Sequence, residues 1–234
     1  MSTAAPAPQG SLDFGRSFTF VSEDPDWLKK VLIGGVFTLA CSVLVGVPFV
    51  LGYFSRMLRN VVAGEPRPMP EWDDLGGIFN DGLHLTAVYF LYTLGIVAVF
   101  AALGCVVMLP AMALSGNRDL SEAFSVLGGL GIVALYGLVM LVSLVLAIYL
   151  PAAIARSALR GTVADGFAWR EVLGFITANV GNYLITLVIY VLASFLAQFG
   201  LLLCCVGVFP AAFWSHMVLA VALGQTVRLS PVPV

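Results

Sequence analysis

Four long stretches of this chain contain no Asp, Glu, Lys or Arg, and they constrain its fold more than any other feature. They cover residues 31–55, 82–117, 123–155 and 172–227. Each is longer than the roughly 18 apolar residues that mark a candidate transmembrane helix. The last would be about 84 Å long as one helix, whereas the bilayer core is about 30 Å thick. That stretch must therefore turn and cross at least twice.

The overall composition indicates an integral membrane protein. Of the 234 residues, 60% are hydrophobic and 10% are charged, against roughly 45–50% and about 25% in soluble domains. The 11 basic and 13 acidic residues nearly cancel, which disfavours nucleic-acid binding, and the apolar content excludes intrinsic disorder. We expect a multi-pass protein of the inner or plasma membrane whose first partner is the lipid bilayer, with other membrane proteins or a second copy of the chain as further candidate partners.

The predicted fold is an all-α polytopic bundle with six crossings, within a range of four to eight. We expect a tail at 1–26, disordered and then interfacial, one transmembrane domain at 27–228 and a C-terminal tail at 229–234. Trp27 would anchor the start of the domain at the headgroup level, with Lys29 and Lys30 extending toward water. Short interfacial helices are predicted at 70–80 and 165–176. The six crossings are placed at 30–56, 83–100, 101–117, 126–156, 179–200 and 203–226.

A shift of about 100 residues suggests an internal repeat. It aligns 103–111 with 203–211, and five of the nine positions are identical. Repeat units at 27–122 and 123–228 would hold three crossings each, and an odd number makes the two units inverted in topology, as in many transporters.

The distribution of basic residues leaves a second topology open. Six crossings put seven basic residues on one side and four on the other, which is a weak positive-inside bias. If every charge-free block were instead a re-entrant hairpin, all charge clusters would share one face of the membrane. That arrangement satisfies the rule better, although block 31–55 is too short for two full spans.

The most distinctive segment runs from Gly64 to Gly82. Its three prolines predict an extended start, and its apolar residues share one helical face with Trp72, which predicts an amphipathic helix in the membrane interface. The carboxylates could form a cation site, because hard cations prefer oxygen ligands, or could pair with Arg56, Arg59 or Arg67. The spacing is not that of an EF-hand loop, and ion pairing is the favoured interpretation. The carboxylates are those of Glu65, Glu71, Asp73, Asp74 and Asp81.

Two polar residues fall inside the last charge-free block. His216 and Gln225 are candidate intramembrane polar residues, and such residues are often functional. A neutral histidine can also hydrogen-bond to a neighbouring helix, and we expect this structural role for His216. The chain shows no metal-ligand spacing, no haem motif and no nucleophile motif, so we expect no cofactor, no metal and no enzymatic activity.

The Gly64–Gly82 segment also carries a resemblance to the family catalogued as domain of unknown function 4013, which comprises multi-pass bacterial and archaeal membrane proteins. The resemblance extends from Trp27 to Arg228 and implies a multi-pass inner-membrane protein, but no ligand or catalytic residue. The matching residues of the first half are Gly52, Tyr53, Arg56, Arg59, Gly64, Glu65, Pro70, Glu71, Trp72, Asp73, Asp74, Gly76, Phe79, Asp81, Gly82 and Leu83. The looser matches of the second half are Asn179, Tyr183, Phe213, Trp214, His216, Gly224, Gln225 and Arg228.

Two functions remain from the sequence. The first is a non-enzymatic membrane component that shapes the bilayer or helps to assemble other membrane proteins. It is favoured because the charge-free blocks contain no carboxylate or lysine. The alternative is a small transporter or channel-like module built from inverted repeats, with Pro48, Pro151 and His216 near the pathway.

Overall fold

The computed structural model is helical throughout the part of the chain that it describes. It describes residues 11–113, 118–202, 206–232 and 234, with the helical backbone alone at 107–108, 110–113 and 118–128. Helix accounts for 84% of the chain and no strand occurs among the described residues. The helices are α1 (Phe14–Thr19), α2 (Trp27–Ala40), α3 (Val47–Ala63), α4 (Leu75–Ala113), α5 (Arg118–Arg160), α6 (Val163–Gly166), α7 (Trp169–Ala178), α8 (Val180–Gln198) and α9 (Val208–Leu229).

Within the described residues, four helices are long and apolar enough to cross a membrane. They cover 75–106, 129–160, 180–202 and 208–229. The crossings predicted at 126–156, 179–200 and 203–226 correspond to three of these spans. The remaining three predictions differ from the structure, and the count of six is not confirmed.

The crossing predicted at 30–56 is wrong, because this block folds as a helical hairpin. A 3₁₀ turn at Cys41–Val43 ends α2, and Leu44 then takes the left-handed conformation with φ of 66°. Helix α2 has 14 residues and α3 has 17, so they are about 21 and 25 Å long. Neither can cross a hydrocarbon core of about 30 Å. Block 31–55 is therefore a hairpin of two short helices and contains no helix long enough to span the membrane.

The two crossings predicted at 83–100 and 101–117 are also wrong, because one continuous helix, α4, covers 75–113. Apolar length alone does not distinguish one long helix from two short ones. The sequence around the predicted turn is Phe100-Ala101-Ala102, and it lacks the Gly, Pro or Asn residues that reverse a chain.

The 100-residue repeat is not confirmed. Its first matched stretch, 103–111, lies within helix α4, whereas the described part of its second stretch, 206–211, contains a turn and the start of α9. The two halves of the chain also place their elements in opposite order. The first begins with a helical hairpin and ends with a long helix, and the second begins with a long helix and ends with a hairpin.

The chain forms two compact units. The first comprises 1–88 and 151–234, and the second comprises 89–150. In the first unit, α9 is the central helix: α2, α3 and α8 pack around it, and 11 of its residues are buried. Gly34 of α2 lies so close to Phe213 of α9 that a Cβ at Gly34 would fall 2.3 Å from the ring. Small residues thus bring the two hairpins into close packing.

The second unit consists of parts of two long helices. Tyr92 donates a hydrogen bond to the hydroxyl oxygen of Tyr149 at 3.3 Å, and the two rings meet edge to face. Many of its large apolar side chains are exposed, including Val133 and Met140. An exposed apolar surface of this kind suits a lipid environment.

Candidate functional site

Residues 64–74 form an extended segment between α3 and α4, which we call the strap. Gly64 ends α3 in the left-handed conformation, with φ of 83°, which glycine adopts without steric penalty. Asn60 then donates its side-chain amide to the Pro68 carbonyl at 3.0 Å, and the prolines keep the strap out of helical conformation. The strap therefore leaves the end of α3 in a fixed direction.

Trp72 of the strap packs between the α2–α3 hairpin and α9. Its indole N–H donates to the Lys30 carbonyl at 3.0 Å. Its ring stacks on Tyr53 and Phe37, with centroids 4.4 and 4.9 Å apart, and approaches Phe213 at 5.9 Å. The predicted interfacial helix at 70–80 is not present, because the helix begins only at Leu75. Trp72 therefore packs within the protein and does not serve as a lipid anchor.

A buried lysine joins the strap to α2. The ammonium of Lys30 lies 2.6 Å from Asp24 and 2.5 Å from Glu71, and it donates to the Met69 carbonyl at 3.2 Å. Burial alone would lower the pKa of Lys30, but hydrogen bonds and charge interactions with Asp24 and Glu71 outweigh it and raise the pKa. The expectation that Lys30 extends toward water is wrong, because it is buried and fully partnered.

Two arginines of α3 bind carboxylates at the start of α4. Arg56 lies 2.8 Å from Asp74 and 2.6 Å from Asp81, and Arg59 reaches the other oxygen of Asp81 at 3.3 Å. Arg59 also donates to the Ala158 carbonyl of α5 at 2.8 Å. The network thus ties α3 to both long helices within the first unit.

Asp74 also begins α4 as its N-terminal cap. Its carboxylate accepts the Gly77 backbone N–H at 2.9 Å, which satisfies one of the free N–H groups of the first turn. The hydrogen bond from Arg56, followed by that from Gly77, lowers the pKa of Asp74. Burial alone would lower the pKa of Arg56, but its bonds to Asp81 and Asp74 outweigh it and raise the pKa.

Two glycines let α3 and α4 touch backbone to backbone. A Cβ at Gly52 would lie 1.8 Å from the Ile78 carbonyl oxygen, and one at Gly82 would lie 1.7 Å from the Pro48 carbonyl oxygen. No real side chain tolerates such distances, so both positions require glycine for this approach. The close approach brings the carboxylates of α4 within reach of the arginines of α3.

The remaining candidate residues lie outside this network. Pro70 accepts a hydrogen bond from the Tyr53 hydroxyl at 2.9 Å. Glu65 and Asp73 are exposed, and no cation of the described residues lies within 4.0 Å of either carboxylate. Glu65 lines a small surface groove with Gln225 and Arg228.

The two candidate intramembrane residues, His216 and Gln225, lie in different surroundings. The Nδ1 atom of His216 lies 2.7 Å from the Ala212 carbonyl of its own helix, and its ring meets Tyr190 of α8 edge to face at 6.0 Å. Gln225 instead binds the N-terminal segment, accepting the Asp13 N–H at 2.9 Å. The latter contact places Gln225 among polar groups near the end of α9.

The side chains of this site hold the strap in place. Asp74 and Asp81 pair with Arg56 and Arg59, as the ion-pairing interpretation predicts, whereas Glu71 pairs with Lys30, which that interpretation did not include. Among the described residues, no group of three or more His, Cys, Asp or Glu side chains is placed to hold a metal ion. The charges and aromatic rings join the strap to the elements on either side of it.

Sequence reasoning missed several residues that complete the site. Asp24 and Phe213 belong to elements far from the strap along the chain, and Phe37 faces Trp72 only because α2 and α3 fold together. No spacing pattern signals these contacts. The one available hint was Lys30 itself, a charged residue directly before an apolar block.

Comparison with known proteins now gives these contacts a family context. The model of the family described as "Protein of unknown function (DUF4013)" matches residues 35–206, which is more than half of the chain. The chain belongs to this family. No curated protein and no solved structure matches it.

Several of the residues that carry the DUF4013 resemblance meet around the strap. Gly52 and Gly82 permit the helix contact, Arg56 and Arg59 bind Asp74 and Asp81, and Trp72 fills the gap between the hairpin and α9. These residues thus hold the strap against α3, α4 and α9.

Proposed function

We propose that this DUF4013 protein is a non-enzymatic membrane component that shapes the bilayer. The observation that carries the proposal is the hairpin of α2 and α3, whose helices have only 14 and 17 residues and which the strap holds in place. In the proposed topology this hairpin is re-entrant, with both of its ends on one side of the membrane. Such a hairpin adds helix to the leaflet that it enters. Two helices of about 10 Å diameter add roughly 160 Å² of cross-section to that leaflet. An excess of area in one leaflet bends the membrane so that this leaflet lies on the convex side.

The charged residues support one direction of insertion. Of the eleven Lys and Arg residues, all but Arg118 belong to the unit that contains both hairpins. Arg118 begins the 43-residue helix α5, which ends at Arg160. The positive-inside rule then favours the side with Arg56, Arg59 and Arg160 as the cytoplasmic one. We therefore place the hairpin in the cytoplasmic leaflet.

The contacts that hold the hairpin in place matter for this role, because a hairpin without them can spread along the membrane surface. The α2–α3 pair is marginal as an isolated element in water and buries little surface by itself. The aromatic contacts of Trp72 and the buried Lys30 hold both of its helices against the strap and α9. The hairpin therefore enters the leaflet as a rigid wedge and does not spread along the membrane surface.

The experiment measures sorting between vesicles of different size. Labelled protein is reconstituted into mixed vesicles, and its density per membrane area is imaged against vesicle diameter. We expect the protein to be denser on small vesicles. Acidic residues at the hairpin tip, Val43→Asp with Val45→Asp, should abolish sorting, because charged groups are costly in hydrocarbon. The charge-matched control is Ser22→Asp with Asn80→Asp, at exposed positions of the charged side.

The outcomes separate the proposal from its alternatives. Loss of sorting in the tip variant with sorting kept in the control supports the wedge. Equal density on vesicles of all sizes overturns it and leaves an accessory role in assembly. A protein-dependent solute flux without sorting also overturns it, and it favours the transporter alternative.

A further inference from the structure

Helix α7 presents three distinct faces, and one of them has no partner in the protein. Val172 and Phe175 are buried. Arg170, Glu171 and Thr177 form a polar, exposed face. Trp169 and Leu173 are large, apolar and exposed, at 57% and 44%. At 100° per residue these side chains fall on three separate sectors of the helix.

Helix α7 leads directly into a membrane span. Only Asn179, with φ of −122° and ψ of 24°, separates α7 from α8. Val180, Leu184, Val188 and Val191 form an exposed apolar stripe along α8. Helix α8 is long and apolar enough to cross the bilayer, so its exposed stripe faces lipid. Helix α7 has 10 residues, about 15 Å, and is too short to cross.

The polar groups beside this face suit a headgroup layer. The Arg170 guanidinium lies over the Trp169 ring, 5.0 Å from its centroid, and no carboxylate of the described residues lies within 4.0 Å of it. An indole prefers the membrane–water interface, and a free guanidinium next to it can donate to lipid phosphate.

We infer that α7 is a lipid-binding helix that lies in the bilayer interface. Trp169 sits at the headgroup level, Leu173 enters the acyl boundary, and Arg170 binds a phospholipid phosphate. The inference requires a membrane location but not the bilayer-shaping role, so either can fail without the other.

The test places a fluorophore on each exposed face of α7 in the full-length protein. Cys41, Cys105, Cys204 and Cys205 are first replaced by alanine. Leu173→Cys and Glu171→Cys are then labelled separately with an environment-sensitive dye and reconstituted into phosphatidylcholine vesicles. Some vesicles carry bromines near the headgroup end of the acyl chain, and others carry them near its methyl end.

We expect the dye at position 173 to be blue-shifted and to lose most of its emission to the bromines near the headgroup. The dye at position 171 should keep most of its emission. Quenching at neither position, with the dye at 173 still blue-shifted, would show that protein covers this face and would overturn the inference. Stronger quenching by the methyl-end bromines would place α7 in the core and also overturn it.

A second measurement covers the case in which a labelled variant fails to fold. A protein that retains only Trp169, with Phe at the other tryptophans, should be quenched by the same headgroup-end bromines. A protein that retains only Trp72 should not be, because its ring is stacked on Tyr53 and Phe37. Equal quenching of both proteins overturns the inference.

Discussion

The backbone contact between α3 and α4 predicts a large effect for one added methyl group. In Gly82→Ala the new Cβ would lie 1.7 Å from the Pro48 carbonyl oxygen, and real Cβ contacts essentially never fall below 3.0 Å. The helices must therefore separate by about 1.3 Å. The atoms nearest the new Cβ all belong to the backbone of Pro48 and Gly52, so no side-chain rotation relieves the contact. Overpacking of this kind costs about 1–3 kcal/mol, and we expect the upper end of that range.

The assay is denaturant unfolding in detergent micelles followed by tryptophan fluorescence, because Trp72 stacks on Tyr53 of α3. Gly76→Ala is the matched control, since it lies on the same helix with open space around its Cβ. It should stabilise the protein by up to about 1 kcal/mol, because alanine favours helix over glycine. If Gly82→Ala proves as stable as Gly76→Ala, the close helix contact is refuted.

Three further perturbations test individual parts of the hairpin and the strap. Lys30→Met leaves the buried Asp24 without its cation and should lower the free energy of unfolding by about 3 kcal/mol. Lys29→Met, at an exposed position, should change the free energy of unfolding by no more than about 0.5 kcal/mol. Equal effects in unfolding titrations would argue against the buried pair. Leu44→Gly removes the penalty of the left-handed conformation and should stabilise the hairpin by about 1 kcal/mol; a lower thermal midpoint would contradict this. The pKa of Asp74 is lowered below the ordinary 3.8, so its contribution to stability is present above the unfolded-state pKa and is lost as the pH falls through the folded-state pKa. The difference in thermal midpoint between the wild type and Asp74→Asn should therefore shrink with acidification. A constant difference would disprove the ion pair.

The membrane class and much of the helix placement follow from the sequence alone. Charge-free length predicts α5, α8 and α9 because a lipid-facing span must satisfy its backbone internally and expose apolar side chains. The pairing of Asp74 and Asp81 with the arginines of α3 also follows, since carboxylates and guanidinium groups close together along an interface form ion pairs.

The sequence left a hairpin at block 31–55 open as an alternative, but it could not decide for the α2–α3 hairpin in the same way. Its turn, Cys41 to Gly46, contains no Pro-Gly or Asn-Gly signal, and it depends on a leucine in the left-handed region. Tertiary packing stabilises this turn, through Phe37 stacked on Phe49 and on Trp72. Likewise, Lys30 finds Asp24 six residues before it, a spacing that no helical pattern marks. Contacts between distant segments decide both features.

The central claim is that both ends of the α2–α3 hairpin lie on one side of the membrane. The most direct measurement uses single cysteines at Ser22 and Glu65, both exposed, in a protein whose native cysteines are replaced. Each variant is labelled with a membrane-impermeant maleimide added to sealed vesicles of known orientation. We predict that both positions react from the same side. Reaction from opposite sides would make the hairpin a crossing and would contradict the account.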